Sequence, residues 1–143
     1  VPIIIDCCRF KADVVGEDEH DLGRRAILNY GHTIGHALEA VAGYRQYNHG
    51  EAISVGMMGA ALVARAKGWL SEDEVQDFKA LAGAAGLPLT MKDIDPDKVL
   101  EHLKHDKKRT KGSDNFVLLK GRGKPVVSSV DPKVIKETLR CLT

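Results

Sequence analysis

The sequence predicts a mainly α domain of about six helices and one small β-hairpin, spanning residues 1–143. Three observations predict it. Apolar side chains recur every three to four residues between glycine and proline stops. Helix-start signals stand at Ser71, Asp95 and Asp131. Two short apolar runs, 116–119 and 126–129, flank Gly121 and Gly123 in the manner of a hairpin.

Taken in order, residues 3–15 place Ile4, Cys7, Cys8, the Lys11 stem, Val14 and Val15 at near-helical spacing, and the charged stretch 17–21 with Gly23 ends that helix. Residues 24–42 read as a second helix, with Ile27, Leu28, Ile34, Leu38 and Val41 along one side and Gly43 as its stop. A polar loop, 44–48, leads into residues 50–67, rich in Ala, Met and Val and bounded by Gly68. That helix is apolar nearly all round, so it is expected in the middle of the domain. Ser71 and Glu74 form a capping box that opens a helix running to about Ala85, before Gly86 and Pro88. Asp95-Pro96 and Asp131-Pro132 each put a carboxylate at an N-cap and proline in the first turn, starting two more helices.

Size and composition suit a single globular domain: 143 residues, 43% hydrophobic and 29% charged. A formal net charge of +1 gives the chain no overall attraction to nucleic acid or an anionic membrane, so any anion site has to be a local cluster. Cys7, Cys8 and Cys141 are odd in number and lack CxxC spacing, which excludes a zinc ribbon and suits a reducing cytoplasm. Each is expected to be a small buried apolar residue. No apolar run approaches the ~18–20 residues that cross a bilayer, and no basic segment precedes one as in a signal peptide. The opening Val-Pro-Ile-Ile-Ile has no initiator methionine and runs straight into a helical pattern, as expected of a piece of a longer protein.

The chemistry concentrates between residues 28 and 51. His32 and His36 are four apart and so share one face of a helix. Gly31 and Gly35 precede them, each costing a helix ~1 kcal/mol relative to alanine but permitting close approach by another backbone or a ligand. A lone histidine is more often a satisfied core or surface residue than a ligand; this pair, with His49 shortly after, favours a metal or proton-transfer site. Spacing alone pairs His32 with His36, as in the HExxH zinc helix, but Thr33 stands where that motif has its general base.

Arg25, Leu28, Asn29, Gly31, His32, Thr33, Gly35, His36 and Glu39, then His49-Gly50-Glu51-Ala52 and Gly56-Met57, form a pattern that resembles the 3-dehydroquinate synthases. Lys11 with Val14 and Val15, Asp18-Glu19, Asp106-Lys107-Lys108 and the run 116–119 extend the resemblance over essentially the whole chain. It implies the C-terminal, metal- and substrate-binding half of a two-domain enzyme whose N-terminal half binds NAD.

The implied reaction converts 3-deoxy-D-arabino-heptulosonate 7-phosphate to 3-dehydroquinate and phosphate, in the shikimate pathway of aromatic amino acid biosynthesis. By position, His32 and His49 are implied as two ligands of a catalytic zinc (or cobalt), with a glutamate upstream of Val1 as the third. His36 is implied in substrate contact and proton transfer. Asp21 stands at an acidic position of the family, usually glutamate, that shares the proton handling. Lys11, Arg25, Asn29 and Lys107 match substrate-binding positions; Lys107 is favoured over Lys108, and Arg25 over Arg24.

Gly121 and Gly123 lack a following helix and so are no dinucleotide fingerprint. The chain alone is accordingly expected to fold but not to turn over, and the complete protein to be a homodimer. Alternatives are another sugar-phosphate cyclase of the same scaffold, a stand-alone metallohydrolase using all three histidines, and a non-catalytic helical module.

Overall fold

The computed structural model describes residues 1–20, 23–109 and 115–143. Its elements run α1 (Pro2–Glu17), a 3-10 helix (Arg24–Asn29), α2 (His32–Val41), α3 (His49–Ala66), α4 (Glu72–Ala84), α5 (Pro96–Arg109), β1 (Asn115–Leu119), β2 (Pro125–Ser129) and α6 (Pro132–Cys141). The expected helices and hairpin are therefore present, with one division described below.

α3 is the centre, as its all-round apolar composition predicts. Residues such as Ala52, Val55, Met58, Ala61 and Val63 are buried along it. α2, α4, α6 and β1 all pack against it. The hairpin is antiparallel with Val117 opposite Val127. β1 buries Phe116, Val117 and Leu118, while β2 is the more exposed strand. The core thus joins Ile34 and Leu38 of α2, the α3 residues, Val99 and Leu103 of α5, Leu118 of β1, and Ile135 and Leu139 of α6.

The capping signals act as read. The Ser71 side chain accepts from the Glu74 N–H while the Ser71 N–H donates to the Glu74 carboxylate at 2.9 Å. Asp131 accepts from the Lys133 N–H at 2.7 Å. Ser71→Ala removes one acceptor from the first turn of α4, so we expect a loss of about 1 kcal/mol. Thermal unfolding should register it as a fall in Tm of roughly 3–5 °C. An unchanged Tm would mean that water satisfies this turn equally well.

The structure corrects two expectations. The helix expected over residues 24–42 is two: a 3-10 helix ends at Asn29, and α2 begins only at His32. Gly31 between them has φ +81°, a left-handed conformation that costs a side-chain-bearing residue but not glycine. Cys7, Cys8 and Cys141 are exposed rather than buried. α1 forms where its periodicity places it but buries only Val14, leaving Ile3 77% and Phe10 57% exposed.

Candidate functional site

Three glycines let α2 and α3 touch. A Cβ built on Gly56 would lie 2.0 Å from the Gly31 carbonyl oxygen and 2.8 Å from the Gly35 nitrogen. On Gly31 it would meet the Met57 nitrogen at 2.6 Å, and on Gly35 the Ile53 side chain at 2.7 Å. Backbone therefore lies directly on backbone here, which the sequence foreshadowed in Gly31 and Gly35. Tyr30 pins the same junction: its hydroxyl donates to the Met57 carbonyl at 3.4 Å, and burial raises its pKa to about 12.

That contact brings the first turns of α2 and α3 side by side, and with them three imidazoles. The ring centroids of His32 and His36 are 5.2 Å apart, those of His32 and His49 5.5 Å, and those of His36 and His49 5.7 Å. One ring nitrogen from each lies within 4.8 Å of the others. Two nitrogens at ~2.1 Å from a shared tetrahedral zinc are about 3.4 Å apart, so the rings have to draw together by up to about 1.4 Å to share one. A donor set of imidazoles suits zinc or cobalt, and the residues present fit such an ion.

Each outer nitrogen contact fits the same role. The His32 Nδ1 lies 3.3 Å from the Tyr30 carbonyl oxygen. The His49 Nδ1 lies 3.1 Å from the Glu39 carboxylate. Donation from both Nδ1 atoms leaves both Nε2 lone pairs for a cation. Burial pushes the His32 imidazole below its ordinary pKa against the raising effect of the Tyr30 carbonyl, and His36 and His49 add to the lowering. The neutral ring this favours is the form that ligates.

His49 owes its place to the start of α3. Asn48 caps the helix through a full capping box, accepting from the Glu51 N–H at 3.0 Å and donating its own N–H to the Glu51 carboxylate at 2.9 Å. His32 owes its place to the turn at Gly31.

A cavity of about 460 Å³ opens beside the imidazoles, lined by Asn29, His32, Thr33, His36, His102 and Phe116 among others. That volume suits a small substrate. The predicted Asn29, His32 and His36 thus meet on one wall, with His49 beside the two rings. Lys11, on the exposed side of α1, and Arg25 do not line this wall. Arg25 is half-buried on the 3-10 helix, and its guanidinium donates to the Glu19 carbonyl at 3.2 Å. Arg24 is instead paired with Glu17. Asp21 and the side chain of Lys107 lie outside the described residues.

Sequence reasoning missed four contributors. Glu39 and Gly56 appear in the motif without a role. Asp18 looks like one of several solvated acids, yet its carboxylate accepts from the Gly23 and Arg25 N–H groups, both at 2.9 Å, and so holds the start of the 3-10 helix. His102 carried no signal, since its wall is assembled by α5 from far along the chain.

Residues 2–109 match the 3-dehydroquinate synthase C-terminal family. The chain is 42% identical over 134 residues to the 3-dehydroquinate synthase of Psychrobacter cryohalolentis, covering 93% of this chain and 36% of that protein. It is 46% identical over 125 residues to the 3-dehydroquinate synthase of Pelobacter propionicus, covering 87% and 35%. The chain thus spans about a third of the length of these curated relatives. Among solved structures, 2-deoxy-scyllo-inosose synthase complexed with carbaglucose-6-phosphate, NAD+ and Co2+ superposes with a TM-score of 0.82 at 34% identity, over 98% of this chain and 40% of that one. 2-epi-5-epi-valiolone synthase from Streptomyces hygroscopicus subsp. jinggangensis, with NAD+ and Zn2+ bound, gives 0.77 at 25% identity over 91% and 36%.

Proposed function

The chain belongs to the 3-dehydroquinate synthase C-terminal family, and from that premise we propose that it supplies the metal- and substrate-binding part of a 3-dehydroquinate synthase. The complete protein would convert 3-deoxy-D-arabino-heptulosonate 7-phosphate to 3-dehydroquinate and phosphate. The observation that carries this reading is the cluster of His32, His36 and His49 beside a substrate-sized cavity.

In it, His32 and His49 would hold a zinc or cobalt ion, with a third ligand from the remainder of the protein. His36, one turn beyond His32, faces the same cavity and moves protons to and from the sugar. Asn29, on the cavity wall, donates a hydrogen bond to a substrate oxygen. Lys11 and Arg25, which stand off the cavity wall in this chain, together with Lys107 would neutralise the carboxylate and phosphate of the substrate in the complete protein, and an arginine fork is well shaped for such groups. Asp21 shares the proton handling with His36. The cavity opens at the first turn of α2, whose positive end favours an anionic ligand. When bound, the ion supplies Lewis-acid polarisation of a substrate oxygen, and NAD, held mainly by the rest of the protein, supplies hydride chemistry. The complete enzyme is assigned to the cytoplasm, where three exposed free thiols persist, and to a homodimeric assembly.

The test is a phosphate-release assay of the complete protein with NAD and zinc, across a panel of sugar phosphates with and without a carboxylate. Turnover is expected with the heptulosonate 7-phosphate and not with uncharged-ring hexose phosphates. The reverse preference would place the protein among the other cyclases of this scaffold. The 143-residue chain alone is expected to give no turnover in the same assay.

A further inference from the structure

Among the described residues, Glu39 is the one carboxylate in the buried set, at 9% exposure. The other carboxylates among the described residues are exposed or half-buried, in reach of water. Burying one is unfavourable unless something compensates it. The compensation described is a side-chain contact to the Nδ1 of His49 at 3.1 Å.

The surroundings make that contact matter. His32 and His49 each occupy the first position of a helix, α2 and α3. Helix N-termini carry partial positive charge, which disfavours a cation bound there. Glu39 projects from the third turn of α2 to the start of α3 and brings a full negative charge to the place where those two positive ends converge. It is not one of the three residues whose ligand atoms cluster. It stands one atom-shell behind them.

We propose that Glu39 is the positioning residue of the metal site: it fixes the tautomer and rotation of His49 and raises the affinity for a divalent cation. The inference rests on the reading of His32 and His49 as ligands. A carboxylate that accepts Nδ1–H leaves Nε2 unprotonated, makes the ring a better donor and partly balances the charge of the ion. Loss of such a partner typically weakens metal binding by about 10–100-fold.

The experiment measures zinc dissociation constants by competition with a chromophoric chelator, on the complete protein and its His32→Ala, Glu39→Gln and Glu39→Ala variants. Visible spectra of the cobalt-loaded forms are taken in parallel. His32→Ala should lose tight zinc binding; if it does not, the ligand assignment itself is wrong. Given that loss, Glu39→Ala should bind zinc about 10–100-fold more weakly and shift the cobalt bands. Glu39→Gln keeps an acceptor oxygen and the side-chain shape but not the charge, so it should fall between wild type and Glu39→Ala. It also keeps the test alive if the alanine variant fails to fold. Wild-type zinc affinity and cobalt spectrum in Glu39→Gln, whatever its melting temperature, would make Glu39 merely structural and overturn the proposal.

Discussion

Gly56→Ala should cost the domain more than ~3 kcal/mol, beyond the usual overpacking range of 1–3, and should abolish metal binding with it. The added carbon would stand 2.0 Å from the Gly31 carbonyl oxygen, and both colliding partners are backbone. No rotamer change relieves that clash, so α2 has to move away from α3. His32 and His36 travel with α2 while His49 stays on α3, so the imidazole cluster opens as the helices separate. Urea unfolding and zinc content measured on the same preparation check both parts. Gly83→Ala is the control: it sits in α4 with nothing within 4 Å of its added carbon. It should stabilise by roughly 0.5–1 kcal/mol through helix propensity. If both substitutions behave alike, the close contact between α2 and α3 is not what organises the site.

His32→Ala in the complete protein should reduce kcat/KM by about 10³-fold or more. A Lewis-acid contribution of several kcal/mol to the transition state corresponds to a loss of that order. The side chain is half-buried on the cavity wall, and its only hydrogen-bond contact described is to the Tyr30 carbonyl. Its removal leaves no charge stranded, so the unfolding midpoint should move little. A variant with native stability and near-native turnover would favour a helical module in which these histidines are incidental.

Much of the fold was legible because its signals are local. Ser71 with Glu74, and Asp131 before Pro132, announce helix starts through hydrogen bonds that span only two or three residues. The central place of α3 follows from its lack of a polar face. The break at residues 30–31 was not legible. A glycine within an apolar periodicity reads the same in a helix interior as in a left-handed turn, and only the packing of Tyr30 and Met57 decides between them.

The site divides in the same way. Sequence spacing pairs His32 with His36, while the partnership of His32 with His49 depends on how α2 lies on α3, which helical period does not encode. Glu39 was hidden for that reason too. Its partner His49 is ten residues on, across a loop, and within the motif on its own helix it has no visible task. The thiols are exposed against expectation because residue type reports a preference for burial but not what covers a given helix face.

The convergence of imidazoles from two helices on one ion is tested most directly by X-ray diffraction from zinc-loaded crystals of the complete protein, with data on both sides of the zinc absorption edge. A single anomalous peak at ~2.0–2.1 Å from the Nε2 atoms of His32 and His49 is the predicted result. A peak bound elsewhere, or one held by only one of these two rings, would contradict it.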